Sequence, residues 1–188
     1  MNVAELGADF ITCAGYKWLL GPYGTGFFWV KGEQIAAMRP GPFYWTAAEG
    51  ANHFGSLVFA NPKVAAGARR WDSAETASYF NLAAMAESLE LVLRFGPETV
   101  AAHNRALMEQ TFERLPKDRC VPASPLDPAR RGPYACFAAR TPEKSAALYA
   151  KLQADNIFVS LREGNLRVSP HLFNTERDID RLIAAIIA

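Results

Sequence analysis

Cysteine and histidine are both scarce, three of each in 188 residues. Cys13, Cys120 and Cys136 are far apart and form no CxxC pair, and His53, His103 and His171 lack the spacing of metal ligands. Zinc centres and a disulfide-stapled secreted scaffold are therefore not expected, and three unpatterned thiols fit a reducing cytoplasm. Excess charge of either sign is missing too: 20 Lys+Arg stand against 19 Asp+Glu. A formal net charge of +1 leaves no footprint for nucleic acid or an acidic membrane surface, and the pairs Arg69-Arg70 and Arg130-Arg131 are expected to be solvated or locally paired. No apolar run reaches the roughly 18 residues of a membrane span. The opening MNVAELGADF has neither a basic n-region nor an apolar h-region, so no signal peptide is visible.

What the chain does have is a hydrophobic half, including 12 Phe and 4 Trp, enough for a core. ADFITC (residues 8–13) reads as a short buried strand and GTGFFWVK (24–31) as a second. Residues 39–63, rich in Pro, Gly and aromatics, read as a long structured loop. Leu82, Met85, Leu89, Val92 and Leu93 fall on one helical face. Gly96-Pro97-Glu98 stops that helix and starts another, whose stripe is Val100, Leu107, Met108, Thr111, Phe112 and Leu115.

Residues 116–133 carry prolines and charges and read as a connection into a second unit. There, 134–138 is a strand and Thr141 caps a helix running to about Gln153. IFVSL and LRVS flank the turn REGN as a hairpin, and Thr175 to Asp178 form a capping-box pattern before Ile179, Leu182, Ile183 and Ile186. Strand, helix, hairpin, helix make a small α+β terminal domain.

Between the first two strands lies GYKWLLGPYGTG, with Lys17 in an apolar and aromatic run. A buried amine loses its charge readily and can then attack a carbonyl. The alternative is a strand-end lysine that snorkels to solvent. Gly21, Gly24 and Gly26 make a tight turn where a ligand could approach the backbone. The run ends in no GK[ST] and lacks GxGxxG spacing, so it offers a nucleotide little.

CAGYKWLLGPYGTGFFWV strongly resembles the lysine segment of class V aminotransferases, the fold type I pyridoxal-phosphate (PLP) enzymes that include cysteine desulfurases, kynureninase and isopenicillin N epimerase-like proteins. GADF before the lysine, RRWDSAETASYFNL (69–82) and LRVSPHLFNTERDIDRLIAAI (166–186) follow in the family's order and approximate spacing. The resemblance implies an α/β fold: residues 1–115 as the remaining part of a PLP-binding large domain with long connecting helices, and 116–188 as the small C-terminal α+β domain. It implies that Lys17 joins PLP as a Schiff base and moves the substrate's α-proton. Tyr16 then donates to the cofactor phosphate. Thr76 reaches the phosphate of a partner subunit, or caps a helix, or both. Arg167 grips the substrate carboxylate with its planar fork, presented on the strand face opposite Leu166 and Val168. The expected assembly is a homodimer, or this chain with a complementing N-terminal half.

The sequence also departs from the family pattern. Ala14 stands where many relatives carry a phosphate-binding serine. Relatives have a further half upstream that supplies a phosphate loop, a ring-stacking residue and an aspartate on the pyridine nitrogen, and Met1 falls just past where that aspartate is expected. Uncovered sheet edges and weak PLP binding are the expected consequences. Desulfurases need a loop cysteine near the carboxylate arginine. Here that place is Arg162-Glu163-Gly164-Asn165, Cys136 lies in a strand, and Cys120 sits between Arg119 and Val121. Transamination, epimerisation and elimination on an α-amino acid therefore remain. The alternative is a non-catalytic remnant or assembly module that keeps the fold without PLP.

Overall fold

A computed structural model describes residues 2–39, 41–57, 60–72 and 78–188. The chain forms two compact units, Met1–Leu91 and Val92–Ala188.

In the first unit, β1 (Phe10–Ala14) and β2 (Gly26–Val30) pair as an antiparallel ribbon, with Phe10 opposite Val30 and Ala14 opposite Gly26. The expectation of a buried strand is overturned. Phe10, Phe27 and Phe28 are each about half exposed. The reason is topological: among the described residues this sheet has two strands only, too narrow a ribbon to bury its own faces. Phe10 and Phe28, diagonal neighbours on one face, stack with centroids 6.3 Å apart. A short helix, α1 (Gly32–Ala37), follows β2. The described part of the aromatic loop is indeed structured. An antiparallel bridge joins Ala48 to Val64, and Ala65 N–H donates to the Ala47 carbonyl at 2.8 Å, burying Ala47, Ala48, Ala51 and Ala65. Arg69 and Arg70 are paired locally: Arg69 Nε donates to the Thr46 carbonyl at 3.0 Å and Arg70 to that of Ile35 at 2.8 Å.

Helix α2 (Tyr79–Phe95) runs across the division between the units. Its buried stripe is narrower than the periodicity suggests, because Met85 and Val92 are buried while Leu82 and Leu93 are largely exposed. Gly96, at φ 85°, ends it, and Pro97 opens α3 (Pro97–Arg114).

The second unit holds a four-stranded antiparallel sheet in the order β3-β4-β6-β5, from β3 (Cys120–Pro122), β4 (Ala135–Ala139), β5 (Ser160–Arg162) and β6 (Asn165–Val168). One sheet face, with Ala135, Phe137, Leu166 and Val168, joins Leu107, Met108 and Phe112 of α3, Leu152 of α4 (Pro142–Ala154) and Ile179, Leu182, Ile183 and Ile186 of α5 (Glu176–Ile187) in one core. The α3 stripe read from the sequence is buried throughout. A line drawn between residues 115 and 116 differs from the compact units because that stripe packs into this core.

The caps agree with the sequence. Thr141 Oγ1 accepts from Lys144 N–H at 3.3 Å, and Thr175 N–H donates to Asp178 Oδ2 at 2.8 Å. The β5–β6 turn places both Glu163 (φ 47°) and Gly164 (φ 78°) in the left-handed region, the geometry of a type I′ hairpin. Strand β3 corrects the reading of 116–133 as mere connection. It is a three-residue edge strand, a position that tolerates Pro122.

Candidate active site

Lys17 sits on the connection between β1 and β2, and that connection is tied at its base and along its length. Gly15 N–H donates to the Thr25 carbonyl at 2.8 Å, and Gly21 N–H to the Gly15 carbonyl at 2.8 Å. Thr25, itself buried, donates its hydroxyl to the Pro22 carbonyl at 2.6 Å. Leu20 takes a left-handed φ of 58° and Gly24 one of 81°. Two side chains of α2 hold the loop from outside: Asn81 donates to the Tyr23 carbonyl at 3.2 Å and Ser88 to that of Leu20 at 3.1 Å. A Cβ on Gly15 would run into the Thr25 hydroxyl, and one on Gly26 into the Cys13 carbonyl. The glycines therefore serve close backbone packing around the lysine.

Lys17 on this loop is exposed, as in the snorkelling alternative, and its apolar neighbours do not bury it. Gly15 is buried and Trp18 and Leu19 are half-buried, while Tyr16 stacks on Tyr23 beside the lysine. Tyr16 and Tyr23 are parallel within 23° at 4.5 Å, and Lys17 Nζ lies 5.5 Å from the Tyr16 ring centroid. Among the described residues Lys17 forms no salt bridge.

Arg167 stands in the second unit, on the sheet face opposite the core, as its strand parity predicts. Its neighbours across the ladder are Cys136 on β4 and Ser160 on β5. The guanidinium lies 5.5 Å from the Tyr134 ring centroid, and Nε is sheltered without a hydrogen-bond partner among the described residues. A sheltered guanidinium nitrogen with an open donor site is unfinished chemistry. Thr76 lies outside the described residues. His171 is buried, and its backbone N–H donates to Asn174 Oδ1 at 2.9 Å.

These residues fit a cofactor of the PLP kind in their donor chemistry. Among the described residues Lys17 offers an exposed primary amine with no carboxylate partner, Tyr16 offers a phenol beside it, and Arg167 offers a fork with an unfilled donor. Among the described residues no three of His, Cys, Asp and Glu gather as a metal site, and no helix is long and apolar enough to cross a membrane. Sequence reasoning missed Arg131, whose side chain is only 3% exposed, in a pair expected to be solvated or locally paired. The prolines and charges around it masked its burial.

The class-V aminotransferase family model matches residues 1–182, and the chain belongs to that family. Isopenicillin N epimerase of Amycolatopsis lactamdurans is 26% identical over 199 residues, covering 99% of this chain and 48% of the epimerase. A cystine C-S lyase, C-DES, in complex with its product cysteine persulfide superposes with a TM-score of 0.83 at 21% identity, over 99% of this chain and 48% of the lyase. A variant of that lyase with glycine covalently linked to its PLP cofactor gives a TM-score of 0.82 over 47% of its length. The fold is thus α/β and matches a C-terminal portion of a fold type I enzyme. The chain spans about half the length of the relatives it matches.

Proposed function

We propose that this chain is the C-terminal portion of a PLP-dependent, aminotransferase-like enzyme of the cytoplasm that acts on an α-amino acid, with Lys17 as the lysine that holds the cofactor. As a functional division, residues 1–115 serve the cofactor and 116–188 the substrate carboxylate. The observation that carries the reading is the loop that presents Lys17, held by Gly15 N–H on the Thr25 carbonyl and Gly21 N–H on the Gly15 carbonyl, with no salt bridge to the lysine among the described residues. Family membership supports the same assignment.

When bound, PLP supplies an electron sink for the charge left at the substrate's α-carbon. The chain's own residues do the rest. With the cofactor bound, Lys17 Nζ would take and return the substrate's α-proton. Tyr16 donates its phenol to the phosphate. Arg167 receives the substrate carboxylate on its fork, which fixes the orientation of the bonds at the α-carbon and so the reaction. Thr76 is proposed to serve the phosphate of a partner subunit. The half-exposed aromatics of the β1–β2 ribbon support assembly, as a homodimer or with an N-terminal half.

The test is incubation with PLP, borohydride reduction and peptide mapping, on the chain alone and with the N-terminal half of a class V relative supplied in trans. Phosphopyridoxyl label on Lys17 is the expected result. Absence of label there in both preparations overturns the assignment. It would favour a second reading, an assembly module that keeps the fold without PLP, for which the exposure of Lys17 is the supporting observation.

A further inference from the structure

The second unit contains a cavity of about 630 Å³ whose lining does not include Arg167. Its floor is apolar, made by Phe112 and Leu115 at the end of α3 and by Cys120, while Val121 and Leu126 stand at the mouth, about half exposed or more. A volume in this range suits a small organic ligand.

The wall carries an unfinished charge. Arg131 lines the cavity with a side chain 3% exposed, yet among the described residues its Nε has no hydrogen-bond partner. The carboxylate facing it, Glu109, stands at 3.7 Å, beyond hydrogen-bond length, and is itself 41% exposed. The guanidinium lies 4.9 Å from the Phe112 ring centroid, which compensates part of its lost hydration. A buried guanidinium normally finds carboxylate or carbonyl oxygens for its fork.

Two further cations share the wall. Arg140 donates only to the backbone carbonyls of Asp118 and Lys117, and Lys117 forms no salt bridge among the described residues. Against Glu109 and Glu113 the lining therefore holds three cations and two carboxylates, one positive charge in excess. Cys120 adds no reactive group, since burial pushes its thiol above the ordinary range.

We propose that this cavity is a binding site for a small monocarboxylate with a hydrocarbon body, its carboxylate seated on Arg131 and its body on Phe112 and Leu115. One negative charge balances the lining and gives Arg131 the oxygen partner it lacks. The site does not depend on Lys17, so its fate and that of the cofactor reading are separable.

The test uses 3-phenylpropionate as probe and its neutral amide as control, followed by isothermal titration and by the NMR shifts of Phe112 and Leu115. Saturable binding of the acid, with the amide about tenfold weaker, corresponds to the roughly 1.4 kcal/mol expected of one charge-assisted contact. Arg131→Gln abolishes the preference for the acid. Because removal of a buried charge can disturb folding, Val121→Trp provides a second variant that fills the mouth and leaves Arg131 in place. It weakens binding at least about tenfold, while Lys17→Ala leaves binding unchanged. Equal affinity for acid and amide, undiminished binding in a folded Arg131→Gln or Val121→Trp protein, or no saturable binding at all, overturns the proposal.

Discussion

Gly15 and Thr25 meet twice: the Gly15 N–H donates to the Thr25 carbonyl at 2.8 Å, and the Thr25 hydroxyl occupies the space a Gly15 side chain would need. The loop that carries Lys17 is closed by this pair. Gly15→Ala should therefore destabilise the first unit by about 1–3 kcal/mol through overpacking. The same substitution at Gly41, where a Cβ meets nothing within 4 Å, should cost far less. Urea unfolding followed by tryptophan fluorescence compares the two, and equal effects would contradict the role given to the closure.

Arg167 makes a second prediction, resting on the proposed function. Its fork, not its charge alone, is held to receive the carboxylate, so Arg167→Lys should weaken amino-acid binding by about 1.5–3 kcal/mol. The readout is the spectral titration of PLP-loaded protein with amino acids, against the matching amines that lack the carboxylate. Loss confined to the carboxylated ligands is expected, and equal loss for both would assign Arg167 a purely structural part.

Acid stability gives a third. The Thr175 backbone N–H holds the Asp178 carboxylate below its usual range, the largest of several causes. A depressed carboxylate contributes stability that is complete above its unfolded value, about 3.9, and is lost as pH falls through the lower folded value. Asp178→Asn should flatten the loss of stability below about pH 4, with little change in that slope near neutrality. Unfolding midpoints in denaturant across that range would show it. An unaltered acid limb would remove Asp178 from the account.

Cys120 reverses the sign. Burial raises its thiol, opposed by the nearby Arg140. Its contribution is complete below the unfolded thiol range, about 8.5, and declines as pH rises toward the folded value. Cys120→Ala should lessen the fall in stability as pH rises above about 8.5. In the native protein Cys120 should also alkylate more slowly than the half-buried Cys13 and Cys136. Alkylation at the same rate as those two would contradict its shelter.

Where the chain dictates its own environment, its structure was legible in advance. Ile179, Leu182, Ile183 and Ile186 recur at helical steps behind a Thr175 cap, and all four are buried. Strand parity alone set Arg167 against Leu166 and Val168, because alternation in a pleated sheet needs no partner to enforce it. The burial of Lys17 stayed open in the sequence for the opposite reason. Local hydrophobicity does not tell which side chains will find a surface to pack on, and the two-stranded ribbon leaves Phe27, Phe28 and the amine exposed together. Strand β3 escaped because three residues ending in proline are too few to show a period. The burial of Arg131 depends on a cavity wall assembled from α3, β3 and a loop, which no local pattern announces.

The most direct measurement of the central claim is a PLP titration of the chain, with an N-terminal half from a class V relative present, against Lys17→Ala under the same conditions. The account predicts a yellow absorbance band that saturates with PLP in the parent protein and is absent from the variant. A band of equal strength in both would contradict it.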